Sequence, residues 1–263
     1  MNYLILKTQG FYIFNFYINL YGFLIAIGMI LGITWAVFIC AKKGYDKNLP
    51  FDLALFALPC AIVGARLYYC AFNGVENFLQ IFKIWEGGMA IYGGVIGGFL
   101  GVFLCCKIKK ESLVKACDIA APCLILGQAI GRVGCYFANC CYGIETTNVA
   151  MQVFPISILI GNEWHLATFF YESVLDLIGF VVLSFLTFKT NKNGIVTSSY
   201  LITYGIIRAV LEQFRDPSEL LTLGSTNIRV SQLLSVLLIV VGIILLFISL
   251  KKNNKQEGKS NNE

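Results

Sequence analysis

In the stretch GRVGCYFANCCYG, residues 131–143, Arg132 stands inside a long apolar run, with Gly131 and Gly134 beside it and Cys135, Cys140 and Cys141 close behind. A second polar pattern runs through YGIIRAVLEQFR, residues 204–215, where Tyr204, Arg208, Glu212 and Arg215 recur at spacings of four, four and three. At ~100° per residue these side chains form one stripe on a helix. Turned toward lipid, such a stripe is very costly, so it is expected to face a cavity. Arg66, Glu172 and Asp176 are further ionisable residues within apolar runs. Three guanidiniums against one or two carboxylates leave positive charge. Arginine forks onto phosphate oxygens and stays charged when dehydrated. The chemistry these residues fit is the holding of an anionic ligand such as a phosphate ester. The glycines beside Arg132 allow close approach of backbone or ligand. The competing reading is a buried ion-pair network that only fixes helix packing, with Arg208 and Glu212 paired at i,i+4. Arg66 also fits a plain interfacial anchor, and Asp176 fits either reading.

The elements that must position these residues are membrane helices. Of 263 residues, 57% are hydrophobic and 13% charged, against about 45–50% and about 25% in soluble domains. Spans of about 20 residues, the length needed to cross a ~30 Å core, are expected near 17–40, 51–72, 88–106, 117–138, 166–188, 195–214 and 230–250. The fold class is therefore all-α: a polytopic membrane protein with about seven transmembrane helices. The first span lacks a basic leader and a small-residue cleavage motif, so it reads as a retained helix and not a signal peptide. Lys and Arg concentrate at 41–50, 107–116, 189–194 and the tail, which together hold thirteen of the twenty. Four others, Lys7, Lys83, Arg215 and Arg229, fall on the opposite side. By the positive-inside rule the N-terminus is expected outside and the C-terminus in the cytoplasm. The net charge of +5 is mostly this topology signal, and no nucleic-acid partner is expected. With that topology Tyr21, Arg66, Tyr92, Arg132, Glu172, Arg208 and Glu212, from six helices, share one depth near the outer leaflet. The anions abundant at that depth are phospholipid headgroups.

Residues 1–250 read as one membrane domain with a small extracytoplasmic cap near 139–165, and 251–263 as a disordered cytoplasmic tail. The aromatic segment 1–16 fits a surface-lying stretch. GGMAIYGGVIGGFLG, residues 87–101, follows no strand and reads as a close helix-packing face, not a phosphate loop. Most of the ten cysteines fit small apolar fillers. Cys135, Cys140 and Cys141 match no zinc spacing, and His165 is the one histidine, so no metal site is expected. A disulfide among the three fits an outer-face position.

Several blocks, in order, resemble the prolipoprotein diacylglyceryl transferases: LYGFLIAIG (20–28), GARLYY (64–69), IWEGGMAIYGG (84–94), GRVGCYFANCCYG, HLATFFYES (165–173), YGIIRAVLEQFR and VSQLLS (230–235). The resemblance spans nearly the whole chain. It implies an enzyme of the bacterial plasma membrane that moves the diacylglyceryl group of phosphatidylglycerol to the lipobox cysteine of a prolipoprotein. A thioether forms, glycerol-1-phosphate leaves, and no cofactor is needed. The matching functional positions are Tyr21, Arg132, Gly143, Tyr204, Arg208 and Glu212, with Arg66 an added phosphate contact. Two departures mark a divergent member. Tyr92 stands where the family usually has a histidine that is a candidate base, and tyrosine, with a pKa of about 10, is a poorer one. Cys135 and Cys140 replace the signature's usual asparagine and acidic residue. They read as packing cysteines or as participants through an enzyme-bound thioether. The alternatives are a homologue that binds or moves phospholipid headgroups without catalysis, one that lipidates a different thiol, and an anion transporter. The transporter lacks a polar path inward.

Overall fold

The computed structural model describes residues 10–13, 16–73, 88–217 and 229–260. Lys7, Lys83, most of the aromatic N-terminal segment and residues 84–87 of the third block lie outside them. Seven helices are long and apolar enough to cross a membrane: α1 (Leu20–Lys43), α2 (Leu49–Asn73), α3 (Ile91–Lys109), α4 (Leu113–Ala138), α5 (Thr168–Lys189), α6 (Ile195–Leu211) and α7 (Val230–Ser260). All seven expected spans are present, with ends shifted by a few residues. The chain is a polytopic all-α membrane protein. A helix satisfies every internal backbone group within itself, which is what an apolar surrounding demands. α7 continues past its apolar stretch to Ser260 and so overlaps most of the tail whose composition predicts disorder.

Two short antiparallel hairpins accompany the helices. β1 (Gly10–Ile13) pairs with β2 (Phe16–Asn19) just before α1. The Asn19 side chain accepts from the Tyr21 backbone N–H at 2.9 Å, an N-cap that satisfies one orphan donor at the start of α1. β3 (Ser157–Ile160) pairs with β4 (Glu163–Leu166) within the connection from α4 to α5, where the sequence reading placed a cap.

The chain divides into two units. In the unit of residues 35–119, α2 and α3 meet backbone to backbone. Gly93, Gly97 and Gly101 recur every fourth residue on α3, and a Cβ at any of them would run into the backbone of Gly64, Cys60 or Phe56 on α2. This small-residue face confirms the packing reading of the glycine-rich stretch.

In the unit of residues 1–34 and 120–263, Gly28 and Gly32 of α1 lie against Gly127 and Cys123 of α4. Gly205 and Gly242 bring α6 and α7 together in the same way. Ala121, Ile125, Leu183 and Val196 form a buried cluster among α4, α5 and α6. A second cluster, Cys135, Ile158, Ala167 and Phe169, ties the end of α4 to the β3–β4 hairpin and to the start of α5. That second cluster fixes the place where the polar residues collect.

Candidate functional site

Four of those residues converge in the unit built from α4, α5 and α6. Arg132, from the last two turns of α4, puts Nη2 2.7 Å from Oε1 of Glu172 on α5. Arg208, from the last turn of α6, places Nη1 3.4 Å from Oε2 of the same carboxylate. Its Nη2 is 2.9 Å from Oε2 of Glu212. Glu172 and Glu212 are almost fully buried. One carboxylate therefore spans two guanidiniums from different helices, and a second orients one of them. Arginine suits this role because its planar fork serves two partners at once.

The stripe along α6 is as the spacing implies for Arg208, Glu212 and Arg215, but the helix ends at Leu211 and passes into a 3-10 turn over Glu212–Phe214. Arg215 follows in extended backbone and still lines the cluster. Its Nη2 donates to Sγ of Cys141 at 3.2 Å, and Nη1 of Arg132 donates to the same sulfur at 3.3 Å. Arg229, just before α7, donates to the Glu212 carbonyl at 2.6 Å. A small cavity lined by Cys141, Thr168, Glu172, Arg208, Leu211 and Arg215 opens at this point.

Gly143 lies one step from the cluster and is a backbone joint. Its N–H donates to the Leu166 carbonyl at 2.8 Å, and it bridges to Arg215 on the other side. The Ile144 N–H donates to the Phe214 carbonyl at 2.9 Å, and the Asp216 N–H to the Tyr142 carbonyl at 3.3 Å. A Cβ at position 143 would lie 2.6 Å from the Phe214 carbonyl oxygen and 2.7 Å from Cγ2 of Thr168. Only a glycine lets the chain thread between β4 and the end of α6 here. His165 stands beside this joint, buried, with Nδ1 3.0 Å from the Gly143 carbonyl.

The remaining expected residues sit around or apart from this cluster. The Tyr21 ring covers Gly134, where a Cβ would lie 2.7 Å from Cδ2 of the ring. Tyr204, one turn before Arg208, stacks on Tyr200 with centroids 6.0 Å apart. Tyr200 in turn donates to Gln128 at 3.3 Å. Asp176 is fully buried one turn along α5 from Glu172, and among the described residues neither of its carboxyl oxygens has a hydrogen-bond partner. Arg66 and Tyr92 belong to the other unit. There Arg66 is buried, donates to the Gly88 carbonyl at 3.1 Å and lies over the Tyr69 ring. Tyr92 meets the Tyr68 ring at 6.2 Å.

The sulfurs of Cys135, Cys140 and Cys141 all lie within 4.8 Å of one another. Linear spacing hid this, because the chain turns back at the end of α4. Asn139 and Cys141 both adopt left-handed backbone angles, φ +50 and +60°, and the Cys140 N–H returns to the Cys135 carbonyl at 3.2 Å. Asn139, a residue that tolerates this conformation, was the available signal. The Cys141 thiol is held well below the ordinary thiol range by hydrogen bonds from Cys135 and Cys140, and further by the Arg132 and Arg215 guanidiniums, against the opposing effect of burial.

Seven membrane-length helices, with a buried arginine–carboxylate cluster held among α4, α5 and α6, mark a multi-pass membrane protein. The family model for prolipoprotein diacylglyceryl transferase matches residues 9–248. A Clostridium botulinum (strain Langeland) protein named phosphatidylglycerol–prolipoprotein diacylglyceryl transferase is 39% identical over 94% of this chain and 98% of its own length. A Clostridium perfringens protein with the same name and the suffix 1 is 35% identical over 95% and 97%. One from Streptococcus equi subsp. zooepidemicus is 39% identical over 89% and 92%. The chain belongs to the prolipoprotein diacylglyceryl transferase family.

Proposed function

We propose that this chain transfers the diacylglyceryl group of phosphatidylglycerol to the lipobox cysteine of a prolipoprotein. The reaction takes place near the outer face of the bacterial inner membrane. The thiol sulfur attacks the glyceryl carbon that carries the phosphate ester. A carbon–sulfur bond forms, the carbon–oxygen bond breaks, and glycerol-1-phosphate leaves with the electron pair. The names of the full-length relatives support the donor and the acceptor class. The observation that carries the chemistry is the convergence of Arg132 and Arg208 on Glu172.

The leaving phosphate gains negative charge as the bond breaks. Preorganised guanidiniums in a dry site stabilise that charge without having to reorganise. Arg132 and Arg208 fill this role. Glu172 and Glu212 hold them in register and offset their charge before the lipid arrives. Tyr21 and Tyr204 line the approach beside them, and Gly143 fixes the loop that closes it. The acceptor must react as a thiolate, and nearby positive charge favours that form.

The test is reconstitution of the purified protein in phosphatidylglycerol vesicles with a lipobox peptide, reading glycerol phosphate release and the mass gain of the peptide. Arg132→Ala is expected to lower kcat/KM by about 10²–10³-fold. Folded protein that binds the headgroup and releases no glycerol phosphate would replace this reading with a lipid-binding one.

A further inference from the structure

The proposed transfer assigns no chemistry to the three converging cysteines. Cys135 lies in the last turn of α4, Cys140 and Cys141 belong to the turn that follows it, and their sulfurs approach within 4.8 Å of one another. Left-handed backbone is strained at a residue other than glycine, and Cys141 adopts it. The consequence of that strain is that its sulfur turns inward to join the other two. Thr168 holds the turn by donating to the Cys141 carbonyl at 2.8 Å.

We infer that Cys135, Cys140 and Cys141 form a site for a thiophilic divalent cation of the zinc type, with one coordination position left for the acceptor thiol. Zinc takes thiolate sulfurs at about 2.3 Å in a tetrahedron, which places them about 3.8 Å apart, so the three sulfurs need to close by at most about 1 Å. Magnesium and calcium prefer oxygen ligands and do not suit the set. Three protein ligands and one open position are the arrangement of catalytic zinc, whereas structural sites are closed. Three thiolates on a divalent cation leave one net negative charge. The N–H groups of Arg132 and Arg215 already point at the Cys141 sulfur, and such outer contacts both offset that charge and orient the ligand.

The role given to the ion rests on the transferase reading. A thiol that binds zinc gives up its proton. The acceptor cysteine would enter the open position as thiolate, its proton leaving to water. Its sulfur would then attack the glyceryl carbon, while Arg132 and Arg208 keep the departing phosphate. The thioether so formed is a poorer ligand and leaves. This supplies acceptor activation in a chain that has tyrosine at position 92.

The experiment titrates the full-length purified protein, reduced and freed of metal, with Co²⁺ and reads the thiolate-to-cobalt charge-transfer absorption. One ion per chain is expected, displaced by Zn²⁺, with at least tenfold weaker binding in Cys140→Ala and in the triple cysteine-to-serine variant. A lipobox peptide with cysteine should shift the spectrum, and the same peptide with serine should not. Absence of the band, or a band indifferent to these substitutions, overturns the site. So does recovery from untreated membranes of a disulfide between any two of the three. Full transfer activity in metal-free protein overturns the role of the ion and leaves the transferase reading standing. A cobalt band that responds to the peptide, in a protein that transfers no lipid with Zn²⁺ present, supports the site and removes the transferase reading.

Discussion

Glu172 is the residue on which the cluster balances, because two guanidiniums meet its two oxygens at 2.7 and 3.4 Å. Replacing it with glutamine would leave Arg132 without its counter-charge and Arg208 with Glu212 alone, and removing one partner of a buried pair costs about 3–5 kcal/mol. Glu172→Gln is therefore expected to lower the thermal unfolding temperature in detergent markedly, and added anionic lipid should restore part of the loss. Arg132→Lys keeps the charge and loses the fork. It should retain headgroup binding and lose most of kcat, which a comparison of KM with kcat will read. Asp176 makes no hydrogen bond among the described residues, so Asp176→Asn breaks none; it is expected to leave activity within about twofold of the parent and not to lower the unfolding temperature. Arg132, Arg208, Glu212 and Glu172 were visible in the sequence because a charge within an apolar run is expensive and demands a reason. The double contact on Glu172 was not, since it depends on how α4, α5 and α6 rotate about their axes, and no single segment encodes that. The sulfur cluster was hidden for a different reason: its geometry comes from two backbone angles at a helix end.

The elements tell a similar story in coarser terms. Length and apolarity sufficed for seven helices. The β3–β4 hairpin was missed, although Gly161–Asn162 between two short apolar runs is a hairpin signal and Gly161 does adopt positive φ, +61°. The runs SILI and EWHL are four residues each, too short for their alternation to stand out. Gly143, expected as a ligand contact, is a joint between β4 and the end of α6. Gly143→Ala puts a methyl 2.6 Å from a carbonyl oxygen, so the joint must spread. The expected outcome is faster proteolysis within 139–167, together with loss of activity even at saturating lipid. In the other unit, Gly97→Val would force α2 and α3 apart, because the Cys60 backbone occupies the space. Lower thermal stability with unchanged cluster chemistry is expected, measurable as a fall in unfolding temperature when Co²⁺ binding is intact.

At the scale of the whole molecule, the lysine-rich connections predict an orientation, N-terminus outside and C-terminus in the cytoplasm, that fusions can test. A cytoplasm-dependent fluorescent reporter after the final residue should light up. An impermeant tag-directed label should reach an insertion at Val149, which is 80% exposed, in intact spheroplasts. The opposite pattern would put the arginine cluster at the wrong leaflet for a secreted acceptor. The strand-like pairing of Gly143 with Arg215, and of Gly143 with Leu166, has a mechanical outcome. The loop bearing the thiols and the end of the helix bearing Arg208 are stapled into one piece, so a lipid that displaces Arg208 must tug the sulfur side with it. Entry of the two reactants should thus be felt mutually: raising the vesicle lipid content would lower the apparent KM for peptide, and two-substrate initial-rate plots would intersect, not run parallel.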